Sequence, residues 1–556
     1  MKRDKGMKEG FSRRDFIKTT AVGAGGTALT GLSAQSRAAA KTAARWDGEY
    51  DVVVVGYGGA GAVAAITAHD AGAKVLLIEK APEGGGNSKM GGAQFTYSTA
   101  ERKSNAAIYL HAVTQGTTPM DVCQAWADEI VNNRAFLEKM GVQYVAGDKL
   151  NGGDFKGLPG SDGVGTGSMK GYGMAFFNAL EKQIKERGIE IMLNCPVTKL
   201  IQDHAKGEVQ GVKVKTQEGE KSIKAKRGVV LCTGGFEFND DMKRNYLRPS
   251  VVKFTGWKYN TGDGIKMAQA LGADLWHMNM IASALYTIMT PNSEIGWMYP
   301  EPKGSSFILV TRFGQRFMRE GAWFPHRSIM GYSYWDWDDA RKSTEYPCCP
   351  HYMIFDETTR IAGAVGINEK SMFTGMGNTI TPTWLGGTAP GWGQPGGGWS
   401  KDNSVEIEKG WIKKADTVEA LAGLIGGEMK AEVLAATVKK WNAFCEAGVD
   451  SDFGRSNEKS TGPGAAFSRN LAKIETPPFY AIELWPGGFC TLGGPKKNAK
   501  GQVLHVNGEP IKRLYEAGEL GHTMGQVYST SGANYAELLV WGRISGRNAA
   551  AEDPWV

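Results

Sequence analysis

Apolar residues fall along this chain in short unbroken runs punctuated by glycine. The most pronounced, Tyr50-Asp51-Val52-Val53-Val54-Val55, breaks into Gly56-Tyr57-Gly58-Gly59-Ala60-Gly61 and resumes as an alanine-rich stretch to Ile66. A β-branched run without polar alternation predicts a strand buried on both faces, and the small residues after it predict a helix lying close on that strand. A second run, Lys74-Val75-Leu76-Leu77-Ile78, predicts a neighbouring strand and ends in Glu79. A helical pattern runs from Ile265 to Leu271. The chain therefore reads as α/β.

The glycines of the first turn divide the work of holding a phosphate. Gly56 permits the turn, Gly58 lets backbone N–H groups approach a pyrophosphate, and Gly61 allows close helix–strand packing, while Gly59 and Ala60 belong to the same cofactor-binding turn and the following helix N-terminus faces the charge. Glu79 lies 18 residues past Gly61. At that distance a carboxylate accepts hydrogen bonds from an adenosine ribose.

Composition and the termini change the picture in a few respects. Residues 1–40 carry Ser12-Arg13-Arg14-Asp15-Phe16-Ile17-Lys18, then a mildly apolar Ala/Gly/Thr stretch and Ala38-Ala39-Ala40. This reads as a twin-arginine export signal, so the mature protein is expected in the periplasm or on the outer face of the cytoplasmic membrane. No later run reaches the roughly 18 apolar residues of a membrane span. The remaining length exceeds a single core and predicts two domains. Basic residues are scattered, with no tract interleaving them with aromatics, so no nucleic-acid partner is expected despite a formal charge of +6. The seven cysteines show no CxxC, haem-attachment or zinc spacing. No metal site is expected from local sequence, and an iron–sulfur cluster held by distant cysteines stays open.

A second glycine-rich loop, Gly84-Gly85-Gly86-Asn87-Ser88-Lys89-Met90-Gly91-Gly92, follows Glu79 closely. Together with the first loop it resembles the FAD domain of the fumarate reductase and 3-ketosteroid dehydrogenase flavoprotein family. Three later segments extend the likeness: Thr233-Gly234-Gly235-Phe236, Thr261-Gly262-Asp263-Gly264, and Glu516-Ala517-Gly518-Glu519 with Gly532-Ala533-Asn534 before a last helix. The resemblance implies a Rossmann-type FAD-binding domain, over 48–285 and 470–556, with an inserted α+β capping domain over 286–469. It implies FAD contacts at Lys80, Asn87, Ser88, Gly91, Gly92, Thr233, Gly234, Asp263, Glu519, Ala533 and Asn534, beside Glu79 and the first glycine loop. Glu519 would meet the ribityl chain, and the last helix would point at the flavin N1/C2=O edge, where reduction places negative charge.

The same resemblance bears on substrate. Fumarate reductases clamp two carboxylates with histidine and arginine and use an arginine as the acid. In this sequence the clamping histidine becomes Cys490, the arginine before the last helix becomes Ser529, and the acidic arginine becomes Phe324, with Arg327 nearby. A small dicarboxylate is therefore not expected. Aromatics crowd the stretch from Trp297 to Trp399, which suits a bulky, ring-bearing substrate. Residues 374–398 read as a long loop. The ketosteroid side of the family suggests Tyr480 as carbonyl polariser, with Arg327 as proton donor and Tyr332 or Tyr334 as alternates. The expected activity is hydride transfer from flavin N5 to an activated C=C bond of an enone, unsaturated lactone or arylacrylate, fed by a cytochrome c or quinol-linked donor. The alternatives are a ketosteroid desaturase and a non-catalytic electron-transfer subunit.

Overall fold

Eight strands assemble around the first apolar run. In the computed structural model, which describes residues 45–555 except 148, 255, 283–284, 289–301, 321–345, 367–398, 457–469 and 526, β1 (Gly48–Val55) leads into α1 (Gly59–Asp70) and β2 (Val75–Ile78). Then follow β3 (Glu190–Met192), β4 (Val197–Asp203), β5 (Glu208–Thr216) and β6 (Gly219–Leu231). A second sheet takes β7 (Lys253–Phe254), β8 (Leu285–Ile288), β9 (Phe307–Thr311), β10 (His351–Asp356), β11 (Ile412–Ala415) and β12 (Phe479–Gly488), with helix α2 (Asp263–Gln269) between β7 and β8 in sequence. The chain returns to the first sheet through β13 (Gln502–Leu504) and β14 (Pro510–Glu516) and ends in α3 (Ala533–Ala551).

The first sheet is mixed. Its order is β13-β14-β5-β6-β1-β2-β3, with β4 beside β5. Strand β1 runs parallel to β2, in register Val52 with Val75, and parallel to β6. Val52, Val53 and Val54 are fully buried, as expected of a strand covered on both faces. Two glycines of α3 bring α1 against it: a Cβ on Gly542 would stand 2.8 Å from Val63 Cγ1, and one on Gly546 would stand 2.4 Å from the Ala64 carbonyl oxygen. The crossing places helix starts from opposite ends of the sequence side by side.

The second sheet is organised on β12, which pairs antiparallel with β10, β11 and β8 and parallel with β7. Its central strand therefore lies within the 470–556 stretch, and β7 within the 48–285 stretch, that the resemblance assigns to the FAD domain. Residues 46–556 make one compact unit. Among the described residues no helix is long and apolar enough to cross a membrane.

Candidate active site

The site is a cradle with a nucleotide end and a ring end. At the nucleotide end, Gly56 has a positive φ of 103°. A Cβ there would stand 2.3 Å from the Cys232 carbonyl oxygen, and one on Gly61 would stand 1.9 Å from the Gly56 carbonyl oxygen. Gly58 faces open space, its nearest neighbour being the Gly85 carbonyl oxygen at 3.8 Å. Helix geometry leaves the N–H groups of Gly59, Ala60 and Gly61 without acceptors inside α1. Gly59 donates to Ser88 Oγ at 3.1 Å. The turn thus presents backbone donors and a positive helix end to an approaching anion.

Glu79 is fixed beside that turn by the N–H groups of Tyr57 (2.7 Å) and Ala81 (2.8 Å). Burial pushes its carboxyl pKa up while the two N–H donors pull it down. Glu79 lines a cleft with Gly56, Lys80, Thr233, Asp263 and Met267. Lys80 Nζ holds Thr261 Oγ1 (2.7 Å) and Asp263 Oδ2 (2.6 Å). Thr233 Oγ1 is buried and has no hydrogen-bond partner among the described residues. Gly234 has a φ of 69°, and a Cβ there would run into the Asn260 side chain at 2.7 Å.

The ring end is built by residues from six separate segments. Asn87 donates to both carboxylate oxygens of Glu519 at 3.0 Å and accepts the Trp257 N–H at 2.6 Å. Glu237, 1% exposed, accepts the Thr491 N–H at 3.0 Å. Carboxylate oxygens of Glu237 and Glu519 and the sulfur of Cys490 all lie within 4.8 Å of one another. Burial pushes both carboxyl pKa values up, and for Glu519 the charge of Glu237 adds to the shift. At the start of α3, Ala533 is the first helical residue and Asn534 Nδ2 donates to Cys490 Sγ at 2.9 Å. The Asn534 N–H donates to the buried Tyr528 hydroxyl at 2.9 Å. Gly91 packs under Tyr535, whose hydroxyl would meet a Cβ at 2.6 Å, and Gly92 completes that loop.

Open backbone donors, a ribose-facing carboxylate and an unpartnered threonine hydroxyl fit the adenosine diphosphate half of a dinucleotide, and the start of α3 fits a group that gains negative charge on reduction. A family model for the FAD binding domain matches residues 51–534. The chain belongs to the FAD binding domain family. This flavoprotein is 28% identical to a digoxin reductase of Eggerthella lenta over 99% of both chains. It is 27% identical to a 3-oxosteroid 1-dehydrogenase of Mycolicibacterium smegmatis over 90% of this chain and 97% of that one. Its fold matches the crystal structure of a 3-ketosteroid delta1-dehydrogenase from Sterolibacterium denitrificans with a TM-score of 0.73 at 24% identity, covering 91% of this chain and all of that one. The flavoprotein is an FAD-dependent oxidoreductase of the class that includes these reductases and dehydrogenases.

The residues expected to bind FAD gather in this cradle, from the first glycine loop through Asn534. Tyr480 does not join them. It lies within β12, eight residues before Gly488, roughly 26 Å of extended strand. Its ring stacks on Phe355 at 5.2 Å, and its hydroxyl donates to Glu357 Oε2 at 2.6 Å. Burial and that carboxylate push its pKa up. A tyrosine so engaged is a sheet residue whose hydroxyl is committed to Glu357. Arg327, Tyr332 and Tyr334, like the 374–398 loop, lie outside the described residues. Sequence reading missed Glu237, although it directly follows the Thr-Gly-Gly-Phe turn. Among the described residues no group of three or more cysteines gathers to hold a cluster.

Proposed function

We propose that this protein reduces an activated C=C bond in a bulky, ring-bearing acceptor that is not a dicarboxylate: an enone, an unsaturated lactone or an arylacrylate. The observation that carries the reading is the charge of the ring end. Cys490 and Ser529 stand where the fumarate reductases have cationic clamps, and Glu237 and Glu519 lie against Cys490. Ser529 is buried and donates its hydroxyl to Met524 sulfur at 2.6 Å. Among the described residues this corner offers carboxyls, a thiol and hydroxyls, and two further carboxylates would be repelled there. The names of the digoxin and 3-oxosteroid relatives support a large polycyclic substrate.

Bound FAD supplies the hydride from N5. The chain supplies the rest. The first turn of α1 and Glu79 hold the nucleotide, and the start of α3, with Asn534, lays a positive helix end along the ring edge that becomes negative. Arg327 is the proposed proton donor at the acceptor's α-carbon, with Tyr332 and Tyr334 as alternates from the same segment. The twin-arginine motif of residues 1–40 supports export, and with it an electron supply from a cytochrome c or quinol-linked membrane donor rather than a nicotinamide.

The test is anaerobic. FAD-loaded protein is reduced chemically and its reoxidation is followed against fumarate, cinnamates, ketosteroids and unsaturated lactones. Rapid reoxidation by one bulky enone, lactone or acrylate with fumarate inert is the expected result. Fumarate turnover would overturn the reading of Cys490 and Ser529. Reduction of the oxidised flavin by a saturated ketosteroid, with no alkene acting as acceptor, would replace it with the desaturase reading.

A further inference from the structure

Glu237 and Glu519 reach the same spot from the turn after β6 and the loop after β14. The Asn87 amide touches both, at 3.0 Å from each oxygen of Glu519 and 3.5 Å from Glu237 Oε1. Among the described residues the groups that act most strongly on the two carboxyls are Asn87, Asn260, the Thr491 N–H and each other. The titratable groups facing the pair are Cys490, within 4.8 Å, and Tyr528, which feels the charge of Glu519. Both of these are neutral when protonated, so neither offsets a second negative charge. Two carboxylates this close, Glu237 buried and Glu519 half-buried, repel each other as a doubly charged pair, and one proton stays between them. The pair touches Cys490, and through it Asn534 at the start of α3, the helix end that would face the flavin edge when FAD is bound.

We propose that Glu237 and Glu519 hold one proton between them beside the oxidised flavin and take up a second from solvent when the flavin is reduced. The balance is direct. With FAD bound, an external chemical reductant would supply two electrons and solvent two protons, one taken by the reduced cofactor and one by the Glu237–Glu519 pair, which would pass from a net charge of −1 to zero. Flavin reduction in this protein thus consumes two protons at a pH where the ring alone would take one. The inference rests on the FAD assignment and is independent of which acceptor is turned over.

Reduced-minus-oxidised infrared difference spectra of the FAD-loaded wild-type protein read the pair directly. The expected result is a carboxylic-acid C=O band in the oxidised state that gains intensity on reduction and shifts in D2O. A carboxyl region that does not change on reduction overturns the proposal. The assignment comes from the double variant Glu237→Gln/Glu519→Gln, which mimics the neutral pair and should abolish the band. The pH slope of its flavin midpoint potential, measured with redox dyes at mildly alkaline pH, should be half that of wild type. Equal slopes in the two proteins, with FAD occupancy matched by absorbance, would also overturn it. Should the double variant lose FAD, the wild-type spectra alone decide the matter.

Discussion

The two ends of the cradle handle negative charge in opposite ways. At the nucleotide end each carboxylate has its own donor: Glu79 takes two backbone N–H groups, and Asp263 takes Lys80. At the ring end Glu237 takes one backbone N–H, from Thr491, but Glu237 and Glu519 share the Asn87 amide and have each other. The first arrangement is a binding device, because fixed donors hold acceptors in place whatever the redox state. The second holds its charge in suspense, so it responds when charge beside it changes.

Substitutions that break the nucleotide end should have the largest effects. Gly61→Val should prevent FAD retention and lower stability by several kcal/mol, on the order of 3 or more, because its Cβ would sit 1.9 Å from a backbone oxygen of the same turn. Purified variant should be colourless or insoluble; a yellow, stable protein would show that the turn can open.

Acid should strike behind the ring end. His277 donates from Nδ1 to the His522 carbonyl oxygen at 2.8 Å and stacks on Trp276, and burial lowers its pKa to about 4. The unfolded chain binds that proton near pH 6.5. Below this value the unfolded state holds the proton and the folded state does not, so stability present above pH 6.5 is lost progressively down to pH 4. The loss amounts to about 3 kcal/mol from this group. Thermal melts of His277→Gln should show a shallower fall over that range than wild type.

Glu79→Ala should weaken FAD about 10- to 150-fold by titration calorimetry, the range for a hydrogen bond to a charged group. Lys80→Ala should do least. Its ion pair is partly exposed, with side chains 24% and 40% accessible, and such pairs contribute about 0 to 1 kcal/mol. A Lys80 effect larger than that of Glu79 would reverse the division drawn between fixed backbone donors and mobile side chains.

The nucleotide end was legible in the sequence because its instructions are local. Valines in a row, glycines at set intervals and an acid at the end of the next strand specify a turn whose parts lie close along the chain. The ring end was legible only in part. Asn87, Glu519 and Asn534 could be named from the resemblance, but the meeting of Glu237 with Glu519 depends on β6 and β14 running side by side, in register Val229 with Leu514. No spacing in the sequence reports that pairing. Tyr480 shows the converse. Its motif pointed to the substrate, while the strand it occupies turns it toward Phe355 and Glu357, a decision made by neighbours from β10 and the residue just beyond it.

The glycine crossing of α1 on α3 carries a consequence for biosynthesis. Gly542 and Gly546 lie roughly 480 residues after Val63 and Ala64, the partners on which they pack. A ribosome must therefore synthesise the chain at least through Gly546 before this crossing can form, and closure of the cradle around a flavin follows translation of that segment.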